Sequence, residues 1–232
     1  MKETFLPEGE TPIRLVLMKR LQFLALILSV GLLTGCQTAY YSAWETFGVH
    51  KRDLLKKFVV AARDEQKETS QEFQSALDRL RKLYAFDGGN LERIYSEVKS
   101  DYDGLKERSD SVKKRVKEVH EVAEDLFKEW EKELKEYSSE ELRAQSRRRM
   151  YETRSRFEDL SASLKRAEAT MDPVLSRLKD QTLFLKHNLN SQAIASMRGE
   201  SASIQAEILK LISEMNAAVK KADSFIKEMP AN

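Results

Sequence analysis

The chain has 232 residues, 41% of them hydrophobic, enough apolar material to bury a core and to argue against disorder. Charged residues make up 34% and aromatics 8%, with only 8 Gly and 4 Pro, the profile of long helices rather than of strands joined by turns. Basic and acidic side chains nearly cancel, 40 against 38 and finely interspersed, so no net field draws the chain to nucleic acid; a single cysteine excludes a disulfide framework.

Met18-Lys19-Arg20 forms a short basic opening to an apolar run, Leu21 to Leu33, which ends at the small residues Thr34-Gly35 before Cys36. This is the layout of a signal peptide, and the run is too short for a membrane helix, which needs roughly 20 apolar residues. Leu33-Thr34-Gly35-Cys36 resembles the bacterial lipobox, which implies a diacylglyceryl thioether on Cys36 and cleavage before it. Residues 1–17 carry Glu3, Glu8, Glu10 and two prolines, which points to Met18 as the true start. The expected organisation is a leader over 1–35, a lipidated tether over 36–47 and a helical bundle over 48–232. Gln37, where Asp would favour inner-membrane retention, implies the outer membrane of a Gram-negative envelope. Tyr40, Tyr41, Trp44 and Phe47 follow the anchor closely; they suit the lipid interface or packing against one end of the bundle.

Four segments then show apolar residues at alternating spacings of three and four, the period of a helix in a bundle seam. The first, about 42–84, is marked by Leu55, Phe58, Ala62, Phe73, Leu77, Leu80 and Tyr84, with a polar stretch from Asp64 to Gln71 interrupting it. The second, about 91–136, runs from Leu91 and Ile94 through Val112 and Leu126 to Trp130, with Tyr137 beyond. The third, about 140–187, includes Leu142, Met150, Phe157, Leu164, Met171 and Leu185. The fourth, about 192–229, includes Ile194, Met197, Ile204, Leu211 and Phe225. Asp87-Gly88-Gly89-Asn90 supplies a turn and an N-cap, Ser138 with Glu141 matches a capping box, and a phase break near Asn188-Leu189-Asn190 asks for a turn capped by Ser191. Pro173, inside the third stripe, should kink the helix or restart it. Short loops make neighbours antiparallel, so the expected fold is all-α, an elongated antiparallel bundle or coiled coil of about four long helices.

Tyr40-Tyr41-Ser42-Ala43-Trp44, Gly48-Val49-His50-Lys51-Arg52-Asp53, Phe86-Asp87-Gly88-Gly89-Asn90-Leu91 and Leu185-Lys186-His187-Asn188-Leu189-Asn190 together resemble a family of bacterial lipoproteins catalogued as domain of unknown function 2959. The resemblance covers nearly all of the chain after Cys36. It implies a periplasmic helical lipoprotein and carries over no catalytic residue. No G-x-x-x-x-G-K-[ST] loop occurs to hold a nucleotide.

Individual side chains offer little chemistry. His120-Glu121-Val122-Ala123-Glu124 has Glu124 where a zinc-protease helix has its second His, so His120 and Glu124 read as a surface pair. None of His50, His120 or His187 has a Glu three residues before it, as a di-iron bundle requires. Arg147-Arg148-Arg149, with Arg143, Arg154 and Arg156, could meet lipid phosphates; the competing reading is a solvated face balanced by Glu140, Glu141 and Glu152. His187 and Asn188 could frame a small pocket beside the Asp87–Asn90 turn, or simply cap helices. These residues lead to the expectation of a non-enzymatic envelope lipoprotein, without cofactor, metal or nucleic acid, that binds a protein partner or itself. The alternative is a carrier or sensor holding a small or lipidic ligand between its helices.

Overall fold

The computed structural model describes residues 51–85 and 90–229, all within one compact unit that begins at Lys51. Five helices account for it: α1 Lys51–Tyr84, α2 Leu91–Glu133, α3 Glu140–His187, α4 Ser191–Arg198 and α5 Ser201–Glu228. There is no strand among the described residues. The lipobox, the tether aromatics and any part of the first helix before Lys51 lie outside them, as does the turn at 86–89.

The cross-helix ion pairs and hydrogen bonds fix how the helices are arranged. Between α1 and α2, Lys51 meets Glu129, Glu72 meets Arg108 and Arg79 meets Asp101, so one number rises as the other falls and the pair is antiparallel. Arg63 with Asp223, Ser70 with Asn216 and Arg81 with Gln205 set α5 antiparallel on the other side of α1. The third helix completes the ring: Arg154 and Glu131 join it to α2, and Asp159 with Lys221 and Arg177 with Glu207 join it to α5. Every long helix therefore packs antiparallel on two neighbours, and the fourth long helix closes an up-down-up-down bundle within one chain. Exposed pairs of this kind are worth about 0–1 kcal/mol each, so they set alignment more than stability.

Stability comes from the seam. Phe73, Leu77, Val112, Val119, Leu160, Met171, Ile208 and Leu211 are all at or close to zero exposure. Each such side chain contributes about 1.5–3 kcal/mol on burial. At about 1.5 Å per residue, the 48 residues of α3 reach about 72 Å. In α1 the seam runs straight through the polar stretch: Val59, Ala62, Gln66, Thr69 and Phe73 keep the three-four spacing, and all five are buried. The interruption at 64–71 is thus one of composition and not of packing.

Several local expectations are corrected. The helix that was to span 192–229 is two, α4 and α5, divided at Gly199-Glu200. Gly costs about 1 kcal/mol in a helix interior, and the Ser201 hydroxyl donates to the Arg198 carbonyl at 2.8 Å, closing the break. Met197 and Ile204 are both buried seven residues apart, so the seam crosses the break in phase. Asn190, not Ser191, caps α4, its side chain accepting from Ala193 N at 2.9 Å. Ser139, not Ser138, caps α3, accepting from Leu142 N at 3.3 Å. Pro173 does not restart a helix: α3 is continuous through it, held by buried Met171, Val174, Leu175 and Leu178 on either side. Leu142 and Tyr137, expected in the seam, are exposed at 54% and 36%. Among the described residues α1 starts opposite Trp130 and α5 ends opposite Arg156, so the first turns of α3 extend past both.

Candidate functional site

The Lys51 end of the bundle gathers the densest mixture of guanidinium and aromatic groups. Trp130, near the end of α2, is fixed by its indole N–H donating to the Ser146 hydroxyl of α3 at 2.9 Å. Over its ring, 5.5 Å from the centroid, stands the Arg52 guanidinium from the first turn of α1. Arg154 lies 4.9 Å over Phe127 and pairs with Glu131 at 2.7 Å. Below them Phe157 packs tilted against Phe127 and edge-on to Phe225, their centroids 5.9 and 6.1 Å away. Between α1, α2, α3 and the end of α5 these groups leave a cleft of about 340 Å³, with Arg52, Arg149 and Arg156 at its rim and Trp130, Phe225 and Met229 among its apolar walls.

The arginine cluster divides around the α3 axis, as helical spacing requires. Arg149 faces this cleft, whereas Arg147 faces a shallower recess with Tyr151 and Lys135. Of the expected balancing carboxylates Glu140 pairs with Arg143 at 2.8 Å and Glu152 lines the cleft beside Arg149, while Arg156 takes Glu228 of α5 at 3.4 Å. Arg147, Arg148 and Arg149 are exposed to solvent and have no ion-pair partner among the described residues, so this face is solvated but not neutralised by direct pairs.

His120 differs from its expected pairing. Glu124 bonds Lys128 at 2.7 Å, and that ammonium holds its carboxyl below the usual range. The His120 ring turns inward to α3, 3.5 Å from the Ser161 hydroxyl and edge-on to Phe157. Helix pairing, which local spacing does not reveal, creates this Ser–His contact. It is at the outer limit of a hydrogen bond and has no carboxylate orienting the ring, so it falls short of an activated nucleophile. Burial, with the nearby Lys165 charge, holds the His120 pKa below its ordinary 6.5. In the window below 6.5 the unfolded chain binds the proton more readily, so this group makes the bundle less stable as pH falls from 6.5 towards the folded pKa. The drop in melting temperature between pH 7.5 and pH 5 should therefore be smaller in His120→Asn than in the unsubstituted chain. Equal drops would contradict the assignment.

At the opposite end, Asn188 closes α3, its side-chain amide donating to the Phe184 carbonyl at 3.0 Å, and Asn90 accepts from Arg93 N at 2.9 Å. Capping accounts for both asparagines. Arg198 donates to the Tyr84 carbonyl at 2.6 Å, and the Tyr84 hydroxyl reaches Gln181 at 3.4 Å. Burial pushes the Tyr84 phenol well above its ordinary range. Leu183, Phe184 and Leu189 are left exposed here, with Phe184 and Asn188 on the wall of an open recess shared with α4.

Among the described residues no group of three or more His, Cys, Asp or Glu is placed to hold a metal ion, and no helix is long and apolar enough to cross a membrane. No curated protein and no solved structure matches the chain. A family model described as protein of unknown function (DUF2959) matches residues 40–229, nearly all of the sequence after Cys36, and the chain belongs to that family.

Proposed function

We propose that this protein is a lipoprotein held by Cys36 to a membrane of the bacterial envelope, on the periplasmic face and in the outer membrane as Gln37 suggests, and that its helical bundle is a non-enzymatic interaction module. The observation that carries the reading is Leu33-Thr34-Gly35-Cys36 directly after a basic opening and an apolar run. Fourteen residues lie between Cys36 and Lys51, a link of at most about 50 Å. The bundle end at Lys51 is therefore the tethered one, and the end with Leu183, Phe184 and Leu189 is free to meet a partner. Leu183, Phe184 and Leu189 suit contact with another protein or a second copy of this chain, while Tyr137, Leu142 and Tyr151 form a second exposed apolar group at the tethered end.

Photo-crosslinkers placed at Phe184 and Leu189 in living cells, with Lys106 midway along α2 as control, test this. One partner should be trapped from both apolar positions, not from Lys106, and should disappear in Cys36→Ala. Equal trapping from all three positions would overturn the reading. The second reading, a ligand carrier, is favoured by one feature only, the cleft at the Lys51 end.

A further inference from the structure

That cleft is built differently from the rest of the surface. Elsewhere the arginines that bridge helices find carboxylates, as Arg63, Arg79, Arg108 and Arg177 do. Arg52 is half-buried on the Trp130 face, yet neither it nor Arg149 has an ion-pair partner among the described residues, although Glu152 and Glu228 stand on the same rim. With three guanidiniums and two carboxylates, the rim carries one net positive charge. Beneath it lie the apolar surfaces of Trp130, Phe225 and Met229. A planar guanidinium with open donors over an aromatic face is matched to a phosphate oxygen, and the floor to methylenes.

We propose that the cleft binds the phosphate-bearing headgroup of an anionic membrane lipid, the phosphate on Arg52 and Arg149 and the first carbons of the tail against Trp130, Phe225 and Met229. A cleft of about 340 Å³ takes a headgroup and the start of a chain, not two whole acyl chains, so the lipid stays in its bilayer while the bundle end is held against it. The supply of lipid at this end rests on the anchoring at Cys36; the chemistry of the cleft does not.

The two tryptophans are Trp44 and Trp130, so Trp44→Phe leaves Trp130 as sole reporter. The full chain carrying it, in a non-ionic detergent, is titrated with dioctanoyl phosphatidylglycerol while Trp130 fluorescence is read. A saturable change is expected, about tenfold weaker in Arg52→Met and in Arg149→Met at unchanged helicity and melting temperature, and about tenfold weaker with dioctanoyl phosphatidylcholine. No saturation, or saturation unaltered by both substitutions together, overturns the site. Inorganic phosphate binding as tightly as the lipid overturns the assignment to an amphiphile. The Cys36→Ala chain should titrate identically, so a failed anchor and a failed site give separate results.

Discussion

Replacing Gln66 with Leu should stabilise the bundle by about 1–3 kcal/mol, an unusual direction for a substitution at a fully buried position. Gln66 has no exposed surface, and neither its amide nitrogen nor its amide oxygen has a hydrogen-bond partner among the described residues. Taking such an amide out of water without replacing its hydrogen bonds costs about 1–3 kcal/mol on the mutational scale, and an apolar side chain of similar size removes that cost while keeping the seam filled. Thr69, Ser109 and Ser163 are buried with unpartnered hydroxyls as well, so the polar character is spread over three helices. Chemical denaturation of the Gln66→Leu chain measures the effect through its midpoint at constant slope. A loss of stability would mean that the amide is well paired in solution and that the seam is wetter than its geometry implies. Single buried polar positions in helical bundles can select one register over others at a cost in stability.

The second large effect is expected at Cys36. Cys36→Ala should abolish metabolic labelling with palmitate and lower the membrane-bound share of the protein by about tenfold or more. Two acyl chains on one residue give stable attachment because each buried methylene is worth about 0.8 kcal/mol, and among the described residues no helix can cross a bilayer in their place. Washing with high salt distinguishes lipid anchoring from adsorption through the arginines of the α3 tip, since only the latter is screened. Unchanged labelling in the variant would place the lipid elsewhere.

Much of this fold can be read from the sequence because a three-four apolar spacing constrains one thing well, which face of a helix is buried. In α5 the spacing names the whole buried set, Ile204 through Phe225, since every seam position there is apolar or a small Ala. In α1 it falters at Gln66 and Thr69, where polar side chains occupy seam positions and composition hides a continuous phase. Helix ends were less legible. Ser138 and Ser139 are adjacent candidates for one cap, as are Asn190 and Ser191, and backbone conformation decides between them. The division at Gly199 was hidden for the opposite reason: the apolar phase passes through it, so periodicity has nothing to report.

The cleft lay beyond local reading. Arg52, Trp130, Arg149 and Phe225 belong to four different helices, and only the ring order of the bundle brings them together. The arginine run was visible as a charge cluster, but which carboxylates pair with it depended on the fold: Glu140 goes to Arg143, and Arg156 takes Glu228 from α5. His120 shows the same limit, since its contact with Ser161 follows from the α2–α3 register and not from its own helix.

The most direct test of the central claim is the intact mass of the protein purified from membranes of its own cells. The anchored-module account predicts a chain that begins at Cys36 and carries the added mass of a diacylglyceryl group, with or without a third acyl chain on the new amino terminus. A chain that keeps residues before Cys36, or that bears a free thiol there, would contradict it.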